Sequence, residues 1–240
     1  MKNVNTILFD LDGTLLSIDM KDFENYFVNS LLKAFEGFKD TKFVKTILEK
    51  PIKNTIKNDG SQTNKNVFLD SFKDILSKDE YIEVSSRFNN FYKNEYHSME
   101  KAVKTEDTIP KSIDILKEKG YELVIATNPL FPFEAVKARV EWANLDIDDF
   151  KFVTSIETSS FAKPNINYYK EILDEIKKDP DECFMVGNDV LEDLVIRELG
   201  IKTFLINNHI LNRHNLDYIS DFEGDYNDYL KFVKSLPDIK

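Results

Sequence analysis

The sequence predicts an α/β protein, a doubly wound parallel sheet of Rossmann-like character with an inserted all-α segment. Three observations carry this. Short β-rich runs alternate with helical stretches after residue 110, residues 22–96 show helical periodicity and no strand signal, and the first apolar run has no strand partner nearby. That first strand must therefore join the later sheet across the insertion. A length of 240 residues suits one large domain or a core with an insertion.

Taken in order, Thr6-Ile7-Leu8-Phe9 reads as a buried strand, ended by the turn Asp10-Leu11-Asp12-Gly13-Thr14. Phe23, Phe27, Leu31, Phe35 and Phe38 then recur at steps of four and three, and Phe43 and Ile47 continue them. Val67, Phe68, Phe72 and Leu76 mark another helix, as do Tyr81, Val84, Phe88, Phe91 and Tyr92. Pro51 is expected to interrupt the pattern, and residues 59–64 form a polar loop. After Ile109-Pro110 the rhythm changes. Helices are predicted over 111–119 (closed by Gly120), 133–142, 165–177 and 191–199 (closed by Gly200). Between them lie strands at 121–127, 152–154, 183–186 and 202–206, and residues 225–236 form a last surface helix.

Charge narrows the partners. Against 32 Lys and Arg stand 43 Asp and Glu, a net charge of −11, and Arg87, Arg139, Arg197 and Arg213 are the sole arginines. Such a surface repels nucleic-acid phosphates and anionic lipid, so neither is an expected partner. Cys183 stands alone and builds no disulfide or cysteine-rich zinc site; inside a strand it reads as a small buried hydrophobe. The three-residue apolar run before Asp10 is too short for a signal peptide, and no stretch is long enough for a membrane span. A cytoplasmic protein is the expectation. His97, His209 and His214 have polar neighbours and no ligand spacing, and read as surface residues.

In open parallel sheets, ligands bind at the carboxyl ends of strands. The predicted strands end in Asp10 and Asp12, in Thr127-Asn128-Pro129, and in Gly187-Asn188-Asp189 with Asp193 a helical turn onward, while Lys163-Pro164 opens a helix. Carboxylates crowded at one edge repel unless a cation sits among them, and Mg²⁺ is the natural hard ion for oxygen donors. With Lys163 and the Thr127 hydroxyl free for phosphate oxygens, the set describes phosphoryl transfer.

These residues resemble the haloacid dehalogenase superfamily, in its phosphatase branch with a helical cap. Phe9-Asp10-Leu11-Asp12-Gly13-Thr14-Leu15 looks like its first motif, Ala126-Thr127-Asn128 its second, and Ala162-Lys163-Pro164-Asn165 its third. Val186-Gly187-Asn188-Asp189 with Asp193 is similar to the fourth. The resemblance implies a core of residues 1–16 and 105–240 with a cap at 17–104. It implies Asp10 as a nucleophile forming an aspartyl-phosphate and Asp12 as general acid and base. Thr127, Asn128 and Lys163 would bind phosphate; Asp10, the Asp12 carbonyl and Asp189 would ligate Mg²⁺, with Asp193 behind them. One departure is Asn188, where the family usually has Asp. Either Asp189 is the ligand, which the Asp189-x-x-x-Asp193 spacing favours, or Asn188 binds through its amide oxygen. The expected function is a Mg²⁺-dependent phosphatase of a small phosphorylated metabolite. A sugar-phosphate mutase and a non-catalytic module retaining the fold are the alternatives, while Asp12 disfavours a dehalogenase.

Overall fold

The computed structural model describes residues 3–239. In chain order the elements are β1 (Thr6–Phe9), α1 (Met20–Ala34), α2 (Thr41–Thr46), α3 (Glu49–Ile56), α4 (Asn64–Lys73), α5 (Lys78–Lys93), a 3-10 segment (Glu95–Ala102) and α6 (Thr108–Lys119). There follow β2 (Glu122–Ile125), α7 (Phe133–Trp142), β3 (Phe152–Val153), α8 (Ile166–Ile176), β4 (Cys183–Gly187), a 3-10 segment (Leu194–Leu199), β5 (Lys202–Ile206), β6 (Phe222–Gly224) and α9 (Tyr226–Ser235).

The six strands form one sheet in the order β3-β2-β1-β4-β5-β6, every pair parallel. β1 is central, as its missing local partner required: Phe9 lies opposite Ile125 on one side and Val186 on the other. Successive strands run outward from β1 in one direction and from β4 in the other, so the switch point falls between these two. Alternation along the strands sorts the core. Ile7, Phe9, Phe184, Val186 and Phe204 share a cluster with residues of α6 and α9, while Leu8, Val124 and Met185 pack with Tyr168, Tyr169 and Ile172 of α8.

The helices between β1 and α6 begin where their caps predict. The Asp19 side chain accepts the amides of Lys21 and Asp22, Asp40 that of Phe43, and Ser77 with Glu80 closes a capping box. The chain enters and leaves this segment through one antiparallel bridge, Ile18 with Val103. Its aromatic stripes are core. Phe23, Phe27 and Tyr96 pack on Phe131, and Tyr96 stacks on Trp142 at 5.5 Å.

Two expectations need correction, and one strand was not foreseen. Pro51 does not break a helix. It sits in the first turn of α3, where an amide would lack an intrahelical acceptor anyway, and the break falls before Glu49. The helix expected at 191–199 is a turn followed by the 3-10 segment from Leu194, because the side chains of Asp189 and Asp193 take up the amides of Asn188, Asp189, Leu191 and Glu192. β6 carries too short an apolar signal to stand out in the sequence. The last helix is the surface helix expected: α9 buries Tyr226, Tyr229 and Val233 and leaves its other face exposed.

Candidate active site

The ends of β1 and β4 bring the predicted acids together. Asp10 follows β1 directly, and its amide donates to the Val186 carbonyl at 2.9 Å. Lys163, 1% exposed, lies beneath it. Its Nζ donates to Asp10 Oδ1 at 2.8 Å and to Asp193 Oδ1 at 2.6 Å. Burial opposes the lysine's charge, yet Asp10 and Asp193 outweigh it and hold the ammonium protonated well above its ordinary range. One cation between two buried carboxylates leaves an excess of negative charge. Burial, with Asp12 and Glu192 nearby, raises the Asp10 carboxyl, and burial with Asp10 pushes Asp193 up to about 7.

Asp193 is locked from its other oxygen. Oδ2 accepts the amides of Asn188 and Asp189, both at 2.9 Å. A Cβ on Gly187 would stand 2.2 Å from that oxygen. Gly187→Ala is therefore expected to lower stability by about 1–3 kcal/mol, because the tied carboxylate has no room to shift. Urea unfolding measures this, and an unchanged midpoint would contradict the packing argument.

The two residues in dispute at the fourth motif have different surroundings. Asn188 spends its whole amide on structure: Oδ1 accepts from Thr14 Oγ1 at 3.2 Å and Nδ2 donates to the His209 carbonyl at 2.7 Å. Gly13 makes room for it, with φ +85° and a would-be Cβ 2.2 Å from Asn188 Nδ2. Asp189 is buried as well. Its Oδ1 caps the amides of Leu191 and Glu192, and its Oδ2 pairs with Arg213 at 2.5 Å.

Thr127 is buried, and its carbonyl is fixed by Tyr168 Oη at 2.7 Å and Thr154 Oγ1 at 2.8 Å. Asn128 Nδ2 donates to Glu192 Oε2 at 3.0 Å, while its Oδ1 is buried with no protein partner. Asp12 forms an ion pair through Oδ2 with Arg139, and its Oδ1 is likewise buried and unpartnered.

Sequence reasoning missed four participants. Glu192, Arg139 and Arg213 all touch predicted site residues. Arg139 left a signal, an arginine on the apolar face of α7 among Ala135, Val136 and Val140. Arg213 left none, since it reaches Asp189 from a distant loop. The fourth is His209, read as a surface residue but half-buried, with Nε2 2.9 Å from Ser17 Oγ. Burial, reinforced by Lys104 and opposed by Asp19, lowers its pKa below 6.5. A lowered folded value means the unfolded chain takes up this proton first, so the contribution is present above pH 6.5 and lost as pH falls through the folded value. Wild type should lose melting temperature relative to His209→Gln below that pH; parallel curves would refute the assignment.

Among the described residues, no three His, Cys, Asp or Glu side chains are grouped to hold a metal by themselves. The oxygens at this edge still suit a hard ion that takes one or two carboxylates, a backbone carbonyl, waters and a substrate phosphate. An apolar cavity of about 310 Å³ lies apart from the carboxylates, between α4, α5 and the loops after β2 and β3, lined in part by Phe68, Phe72, Phe88, Tyr92, Leu130 and Ile156.

A doubly wound sheet with its acids and one buried lysine gathered at the switch point defines an α/β protein whose site lies at the strand ends. The family model for haloacid dehalogenase-like hydrolases matches residues 4–200, and the chain belongs to that family of enzymes. Pyrophosphatase PpaX of Halalkalibacterium halodurans is 24% identical over 236 residues, 98% of this chain and 95% of the relative. PpaX of Anoxybacillus flavithermus is 26% identical over 224 residues, 93% and 92% of the two chains. Among solved structures, a HAD phosphatase from Thermococcus onnurineus superposes with a TM-score of 0.60 at 17% identity, covering 98% of this chain and 100% of the other. A 2-haloacid dehalogenase from Pseudomonas syringae pv. tomato DC3000 does so at 0.66 and 18%, covering 97% and 98%. These likenesses bear out the Rossmann-like core. No helix among the described residues is long and apolar enough to cross a membrane.

Proposed function

We propose that this hydrolase is a Mg²⁺-dependent phosphatase of a small phosphorylated metabolite, acting through an aspartyl-phosphate on Asp10. The observation that carries the reading is the Asp10–Lys163–Asp193 triad at the switch point, which fixes one oxygen of a buried carboxylate at 2.8 Å from a lysine. A carboxylate so held is aimed without being neutralised, as an in-line nucleophile must be.

Asp10 attacks phosphorus, the ester P–O bond breaks, and Asp12 delivers a proton to the departing alkoxide. Asp12 then takes a proton from the water that attacks phosphorus, releasing inorganic phosphate and restoring Asp10. Thr127, Asn128 and Lys163 hold the phosphoryl oxygens. Asp10, the Asp12 carbonyl and Asp189 would hold Mg²⁺, Asp189 being favoured over Asn188 because a charged oxygen binds the ion better. When bound, the ion neutralises charge on the phosphoryl oxygens and among the carboxylates. Residues 1–16 and 105–240 form the catalytic core and 17–104 a cap that keeps bulk water from the intermediate. Its working place is the cytoplasm, where the buried Cys183 thiol, raised to about 12 by burial, stays reduced and inert.

The test is phosphate release from a panel of phosphorylated metabolites and p-nitrophenyl phosphate, with and without Mg²⁺, using Asp10→Asn as the blank. Pyrophosphate belongs in the panel because the PpaX relatives are pyrophosphatases by name. Release from no compound above the blank would end this reading.

A further inference from the structure

The pairing of Asp12 with Arg139 serves no purpose that packing alone demands. Arg139 is 1% exposed on the inner face of α7, where an apolar residue would fill the space without a desolvated charge. Its guanidinium is held in three ways. Nη1 pairs with Asp12 Oδ2, Nε donates to the Ala135 carbonyl at 3.2 Å, and the plane lies over the Phe131 ring at 4.6 Å. The helical segment takes part in the same cluster. Tyr96 Oη donates to the same Ala135 carbonyl at 3.4 Å, and Phe23, Phe27 and Tyr96 pack on Phe131. Asp12 Oδ1 has no protein partner.

Building on the phosphatase reading, we infer that Arg139 is a positioning residue that aims the Asp12 carboxylate at the leaving-group oxygen. It ties down Oδ2 and leaves Oδ1 to carry and hand over the proton. Tyr96 and Phe131 fix the guanidinium, so the acid is aligned when the helical segment is seated on α7. Alignment of this kind matters because proton transfer in the transition state tolerates little misplacement.

The experiment compares p-nitrophenyl phosphate with p-methylphenyl phosphate, esters of like shape whose leaving groups differ in basicity. The more basic leaving group needs the acid; nitrophenolate hardly does. Arg139→Met should lower kcat/KM, which reports the step that expels the leaving group, by about 10–100-fold for the p-methylphenyl ester and by less than about threefold for the p-nitrophenyl ester. In an Asp12→Asn background the same substitution should have no further effect on either ester. Arg139→Lys, which keeps charge and stem, provides a second variant should the methionine form fold poorly, and should show the same discrimination in weaker form. Equal losses on both esters would mean that Arg139 only supports the fold, and would overturn the inference while leaving the phosphatase reading intact. If wild type hydrolyses neither ester above Asp10→Asn, the phosphatase reading falls, and this assignment with it.

Discussion

Asp10→Asn is expected to abolish turnover, by at least about 10⁴-fold, while leaving the protein as stable as wild type or more so. The amide keeps the shape and still accepts from Lys163, but it has no charge with which to attack phosphorus. Stability moves the other way because the wild-type carboxyl is buried and raised, with Asp12 and Glu192 adding repulsion. Removing that charge relieves a strain retained for function. Steady-state phosphate release and a thermal melt, on one preparation, check both halves. Intact-mass measurement after acid quench should show a phosphoryl adduct on wild type alone. Near wild-type turnover by the variant would exclude the covalent route.

Lys163→Met is expected to have the largest effect on stability. The substitution keeps most of the aliphatic stem but leaves Asp10 and Asp193 buried together without a cation. Breaking a buried pair in this way costs about 3–5 kcal/mol. For a chain of this size that lowers the melting temperature by about 10 °C. The pH dependence has a definite sign. Both carboxyls are raised in the folded state, so the native protein binds more protons than the unfolded chain between the ordinary Asp value of 3.8 and, for Asp193, about 7. Their contribution is therefore favourable in acid and declines as pH rises through that window. Without the lysine the decline should be steeper and continue above neutrality. The gap between wild type and variant is then smallest at low pH. Asp193→Asn added to Lys163→Met should recover part of the loss. A gap that widens in acid would show that the lysine is not the counter-charge for these two acids.

Much of the architecture was legible because it follows from local rules. The central place of β1 followed from the absence of any neighbouring strand, and the helix over Phe133–Trp142 came from its apolar spacing. The misplaced elements are those where side chains outside the periodic pattern decide the backbone. Asp189 and Asp193 turn the chain after β4 away from a helix by capping the amides of Asn188, Asp189, Leu191 and Glu192, which periodicity does not register. Pro51 carries opposite meanings at the start and in the middle of a helix, and only the true start, Glu49, separates them.

At the site, the residue types named the chemistry and the fold named the partners. From its pattern alone the chain determined a parallel α/β core and a set of acids, a hydroxyl and a lysine destined for the strand ends, because period and turn chemistry are local properties. Only the tertiary structure decided that Lys163 bridges Asp10 and Asp193, that Asn188 is consumed by Thr14 and His209, and that Arg139 holds Asp12. Those pairings join residues 21 to 174 positions apart. Coulomb and hydrogen-bond energies depend on distance in space, which sequence separation does not encode.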